Sequence, residues 1–119
     1  MGMTAEEAKA KGLPVATGTF PLSFLGKAMA ANDTDGFVKV VRHRETGRLL
    51  GAHMIGHNVT ECIAAAGALL RQKVKVEDVA ETVFAHPTIS ESLKEAAEDA
   101  LSMGLHLPPR KMLRAVAEV

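Results

Sequence analysis

Phe84-Ala85-His86-Pro87-Thr88-Ile89-Ser90-Glu91 contains the residue types that proton chemistry requires. An imidazole titrates near neutrality and exchanges protons with a substrate when a carboxylate holds its other nitrogen. Pro87 restricts the residue before it and cannot continue a helix, so His86 stands on a stiff loop between two helical patterns. Glu91 is near enough in sequence to be the carboxylate. Thr88-x-x-Glu91 is also a capping box, in which the glutamate would only start the next helix. Spacing leaves both readings of Glu91 open.

The other candidates carry less. His43 falls in a predicted hairpin loop and His106 near the C-terminus, where a solvated surface role is the ordinary one. His53, His57 and Cys62 fall on a strand, a loop and a helix without the spacing of a zinc motif, so no metal site is expected. Cys62 is the sole cysteine. One chain therefore has no internal disulfide, Cys-x-x-Cys pair or four-cysteine zinc site, which is compatible with a reducing compartment. No Gly-x-Gly-x-x-Gly or P-loop is present to hold a nucleotide. Aromatics are 3%, with no Trp or Tyr, so platforms for stacking a base or a flavin are scarce. The chain is not expected to hold a large cofactor by itself.

The elements that position these residues follow from periodicity. Thr4 and Glu7 form a capping box for a short helix that Gly12 ends. Val15, Thr17 and Thr19 alternate along a strand stopped by Pro21. Residues 22–32 connect, with one helical turn. Residues 36–42 and 48–56 flank a five-residue turn containing Thr46-Gly47, which predicts an antiparallel hairpin. Asn58 is the predicted cap, with Glu61 reciprocating, of a helix carrying Ile63, Ala66, Leu69 and Leu70 to about Gln72. Shorter helices are predicted over 76–83 and, beyond Pro87, over 89–103, ended by Gly104. Pro108-Pro109-Arg110-Lys111 then opens a basic tail whose last residues form a loose turn. Strands followed by helices indicate an α+β fold with an antiparallel sheet covered on one side.

Composition narrows the classes. The 119 residues are 47% hydrophobic and 24% charged, which fits one folded domain. Lys plus Arg equal Asp plus Glu at 14 each, so the footprint of a phosphate-backbone binder is missing and no nucleic-acid partner is expected. No apolar run approaches the ~20 residues of a membrane span, and the N-terminus lacks a secretion signal. A cytoplasmic protein with no membrane partner is the expectation.

Residues 85–96, Ala85-His86-Pro87-Thr88-Ile89-Ser90-Glu91-Ser92-Leu93-Lys94-Glu95-Ala96, resemble the C-terminal signature of dihydrolipoamide dehydrogenases and related flavin disulfide oxidoreductases. Residues 4–12, Gly18-Thr19-Phe20-Pro21, Asp35-Gly36-Phe37-Val38-Lys39, residues 46–53 and residues 61–68 resemble the same family's C-terminal interface domain, in order. The resemblance covers roughly residues 2–103. It implies a homodimerisation domain that completes its partner's active site, while FAD, NAD and a redox-active disulfide are held by preceding domains of the parent chain. His86 would take the proton of a dihydrolipoamide thiol, leaving the thiolate that disulfide exchange requires. Glu91 would orient His86 and stabilise the imidazolium, as a triad carboxylate does. The resemblance also implies a cis His86-Pro87 peptide, with the backbone of His86 and Pro87 against the partner's FAD. A lipoyl-bearing substrate protein would be a further partner. No cofactor would bind the isolated domain, and it would not turn over alone.

Three departures stand beside the resemblance. Phe84 occupies the place of the family's frequent second histidine. The strand that normally precedes the Thr4 helix ends in a Val-Gly matched by Gly2, so the family's first strand is expected to be missing. The ending from Leu105 onward differs from that of the lipoamide enzymes. The expected division is an interface domain over 1–106 and a basic, proline-containing tail over 107–119. The alternatives are the same domain of another disulfide reductase, such as a glutathione reductase, and a stand-alone dimerisation module without catalytic duty.

Overall fold

Thr4 and Glu7 form the predicted box: the Glu7 amide donates to Thr4 Oγ1 at 3.1 Å and the Thr4 amide to Glu7 Oε2 at 2.9 Å. They start helix α1, Ala5–Ala10. Gly12 closes it with a φ of +74°, which lets the Leu13 amide reach back to the Ala8 carbonyl at 3.0 Å. The computed structural model describes residues 1–103. The predicted tail over 107–119 and its last turn lie outside the described residues.

Strands β1 (Val15–Pro21), β2 (Gly36–His43) and β3 (Leu49–Gly56) form an antiparallel sheet in the order β1-β2-β3. Register places Gly18 opposite Val40, Phe20 opposite Val38, and Val40 opposite Ala52. Alternation then directs Phe20, Val38, Val40 and Ala52 to one face, where they join the main core. A short 3₁₀ turn at Leu22–Phe24 and helix α2, Gly26–Ala30, fill the connection after β1. Helices α3 (Val59–Arg71), α4 (Val76–Glu81) and α5 (Glu91–Ala100) complete the described chain.

The α+β class and the antiparallel sheet are as expected. Helices α2 to α5 supply Ala28, Ala66, Val76, Val79, Leu93, Ala96, Ala97 and Ala100 to the main core, on one side of the sheet. Helix α1 is the exception to one-sided cover. Its Ala5 and Ala8 pack with Val15, Val41 and Leu50 in a second cluster. Alternation points Val15 and Val41 to that face, and a bulge, in which Val41 pairs with Gly51 and Arg42 with Leu49, adds the extra Leu50 to it.

The first three residues lie along one edge of the sheet. The Met1 ammonium donates to the Ala52 carbonyl at 2.8 Å, and the Ala52 amide to the Met1 carbonyl at 3.0 Å. Gly2 bridges Gly51 in antiparallel fashion, and the Met3 amide reaches the Leu50 carbonyl at 2.9 Å. These three residues line the outer edge of β3 as far as Ala52. Among the described residues, no strand pairs with that edge further on.

Three local expectations are corrected. Asn58 makes no side-chain cap; it takes a φ of +60°, and its carbonyl accepts the Glu61 amide at 3.1 Å. Helix α4 ends at Glu81 because Thr82 turns extended, its hydroxyl donating to the Asp78 carbonyl at 2.7 Å. Helix α5 begins at Glu91 and ends at Ala100, since Ser102 adopts the left-handed conformation expected of Gly104. The Met103 amide then satisfies the Glu98 carbonyl at 2.8 Å.

Candidate functional site

The loop between α4 and α5 is held at three points. Phe84 packs against the main core, so the residue in the place of a second histidine anchors the loop's entry. The Thr88 hydroxyl donates to the Ala85 carbonyl at 2.7 Å and closes a turn around His86 and Pro87, whose peptide bond is cis as the resemblance implied. Ser90 Oγ lies 3.5 Å from the Sγ of buried Cys62, which ties the loop's exit to α3. Between these anchors, Ala85, His86 and Pro87 are exposed, and Val83 is 90% exposed.

His86 Nδ1 lies 2.8 Å from Glu91 Oε1 and 3.1 Å from Oε2. A carboxylate accepts only, so Nδ1 carries the proton in this contact. The Thr88 amide donates to Glu91 Oε2 at 2.8 Å, and the Glu91 amide to Thr88 Oγ1 at 3.3 Å. The two readings of Glu91 that spacing left open therefore coexist. One carboxylate closes the turn that leads into α5, whose N-cap residue Ser90 makes no side-chain cap, and holds the imidazole. The Glu91 side chain is 18% exposed and that of His86 74% exposed, so a sheltered carboxylate backs a ring open to solvent. Among the described residues, Nε2 has no hydrogen-bond partner. That nitrogen can accept a proton from a group delivered from outside.

The other histidines do not converge on this site. His43 Nδ1 accepts the Glu45 and Thr46 amides, each at 3.2 Å, and so shapes the hairpin turn. His53 Nε2 donates to the Met3 carbonyl at 3.1 Å, and His57 Nδ1 faces Asp33 at 3.3 Å. Cys62 also lies 3.5 Å from the Asn58 carbonyl, inside the fold. His106 lies outside the described residues. Sequence reasoning missed the anchoring by Phe84 and the contact between Ser90 and Cys62, because both join loops to distant helix faces with no motif to mark them. It also passed over Gly26 of α2, where a Cβ would stand 3.8 Å from the His86 ring.

Curated proteins similar to this chain are dihydrolipoyl dehydrogenases. That of Halobacterium salinarum is 42% identical over 106 residues, covering 89% of this chain and 22% of its own length. That of Geobacillus stearothermophilus is 41% identical over 107 residues, covering 90% of this chain and 23% of its own length. Among solved structures, the HOCl-induced flavoprotein disulfide reductase RclA from Escherichia coli superposes with a TM-score of 0.77 at 29% identity, over 82% of this chain and 22% of that one. LpdA from Mycobacterium tuberculosis does so with a TM-score of 0.76 at 26% identity, over 82% of this chain and 21% of that one. The chain thus spans less than a quarter of the relatives it matches. A sequence model of the pyridine nucleotide-disulphide oxidoreductase dimerisation domain matches residues 1–97, and the chain belongs to that family.

Proposed function

We propose that the chain is the C-terminal dimerisation domain of a dihydrolipoamide dehydrogenase-like flavoenzyme, and that His86 and Glu91 serve the active site of a partner subunit. The observation that carries this is the asymmetry of the imidazole: Nδ1 rests on Glu91 while Nε2 faces outward from an anchored loop. An imidazole open on the outside of its domain can serve a site on another domain or subunit, and membership of a dimerisation-domain family favours the subunit. His86 is exposed on the same loop as exposed Val83, and the one cysteine of this chain is buried, 3.5 Å from Ser90 Oγ and from the Asn58 carbonyl.

In this reading the S–H proton of a dihydrolipoamide passes to Nε2. The thiolate then attacks one sulfur of a disulfide held on another domain, forming a mixed disulfide and releasing the other sulfur as thiolate. Glu91 stabilises the imidazolium without taking its proton. FAD and NAD, held elsewhere in the parent, would supply the electron transfer. The exposed backbone at His86 and Pro87 is the part of this chain that fits against a partner's flavin ring. The isolated chain, lacking a second thiol and a nucleotide fingerprint, would not turn over.

The test is His86→Gln in the full-length parent, with each half-reaction followed separately. Dithiol oxidation should fall by ~10² to 10⁴, the usual worth of a general base, while electron exchange between flavin and nicotinamide stays near normal. A normal dithiol half-reaction would overturn the assignment. The 29% identity to RclA, described as a flavoprotein disulfide reductase, supports a second reading in which the parent handles a different thiol. Comparing dihydrolipoamide with glutathione as substrate separates the two.

A further inference from the structure

Apart from its chain neighbours and its own helix backbone, a Cβ built on Gly26 would meet one atom within 4 Å among the described residues, the Cε1 of His86 at 3.8 Å. Cε1 is bonded to both ring nitrogens. The ring edge leading from the Glu91-bound Nδ1 to the open Nε2 is therefore the edge beside Gly26. Leu25 and Ala28 are buried in the main core and fix the backbone here, whereas Gly26 and Lys27 are exposed. Gly26 has no positive φ, so its backbone does not require glycine. Alanine is also the better helix former. What a side chain at this place would meet beyond its own helix is the imidazole, so its size bears on the ring edge.

We infer that position 26 determines specificity for the proposed reaction: a small residue there, glycine in this chain, keeps open the approach along which a thiol reaches Nε2. The inference rests on the reading of His86 as the base. A methyl group at position 26 stands in ordinary van der Waals contact with Cε1 and leaves Nε2 uncovered. A leucine adds three carbons, long enough to reach past Cε1 to that nitrogen. Position 26 thus grades access by volume, and a thiol with bulk beside its sulfur loses more than a slender one.

Two measurements test this. In the chain itself, carbethoxylation of His86 by diethyl pyrocarbonate is followed by peptide mass spectrometry, with exposed His57 as internal reference. Gly26→Ala should react at the native rate, and Gly26→Leu several-fold more slowly at His86 but not at His57. Equal rates at His86 in the Gly and Leu proteins would overturn the inference. In the full-length flavoenzyme, Gly26→Leu should slow dithiol oxidation by about 10²-fold, the cost of displacing a reacting atom by about 1 Å, and spare flavin–nicotinamide exchange. If His86→Gln abolishes dithiol oxidation while Gly26→Leu leaves it unchanged, the inference fails and the base assignment stands. If His86→Gln leaves it intact, the base assignment itself fails. Should Gly26→Leu not fold, Gly26→Val replaces it with the same two readouts.

Discussion

Each oxygen of the Glu91 carboxylate is engaged, Oε1 by His86 Nδ1 at 2.8 Å and Oε2 by the Thr88 amide at 2.8 Å. Glutamine has one acceptor oxygen, so Glu91→Gln can satisfy one of these donors and must present an amide to the other. The variant should lose about 1 kcal/mol of stability, the usual worth of a cap. In the parent it should also slow dithiol oxidation less than His86→Gln does and displace the pH–rate profile. Denaturant titration and half-reaction kinetics at several pH values check both, and a stability loss with an unmoved profile would reduce Glu91 to a cap. The sequence displayed both duties, because Thr88-x-x-Glu91 and His86 lie within six residues. It could not say that they coexist, since that depends on how the turn at Pro87 aims the ring.

Local chemistry was legible wherever one element decided it. The box of Thr4 and Glu7, the hairpin around Thr46-Gly47 and the alternation of β1 are set by neighbours in sequence, and all appear. The side of the sheet that α1 covers was not legible, because alternation offers two faces without saying which element packs on each, and the extra Leu50 that joins this cluster sits in a bulge that no local pattern announces. Gly18 was equally silent about its role. A Cβ there would run into the Ala96 carbonyl and the Ala100 amide, so α5 lies directly on the β1 backbone, and the Thr19 amide donates to Asp99 Oδ2 at 2.9 Å. Between β2 and α4, Arg42 pairs with Glu77. Burial pushes the Glu77 carboxyl up, but the Arg42 hydrogen bond, its backbone partner and the charges of Arg42 and Lys75 together hold it below the usual range. A depressed carboxylate contributes stability above its unfolded pKa and loses that contribution as pH falls through the folded value. Glu77→Gln should therefore be less stable than the native chain at neutral pH, and the two stability curves should converge in acid. Chemical denaturation across the acid range tests this, and curves that stay parallel would contradict it.

The molecule as a whole leaves apolar surface uncovered. Val83 is 90% exposed beside His86, and the cross-strand partners Phe37 and Ile55 are 42% and 59% exposed. Apolar surface of this kind is commonly buried by a partner, and a dimerisation domain has a second copy available. The isolated chain should dimerise at high concentration, as static light scattering would report; a monomer mass throughout would argue against it. The sequence supported this expectation through its resemblance to a family. The uncovered residues themselves emerged only with the register, which sets Phe37 beside Ile55.

The half-lined edge of β3 also bears on handling the protein. Met1 to Met3 line the edge as far as Ala52, and among the described residues no strand pairs with it further along, next to exposed Ile55. Such an edge accepts any extended segment of suitable length, including the same edge of another molecule. Fibrous aggregation in concentrated stocks would start here, while every native helix is still intact. A lysine at position 55 would act as a gatekeeper against it without touching the imidazole loop.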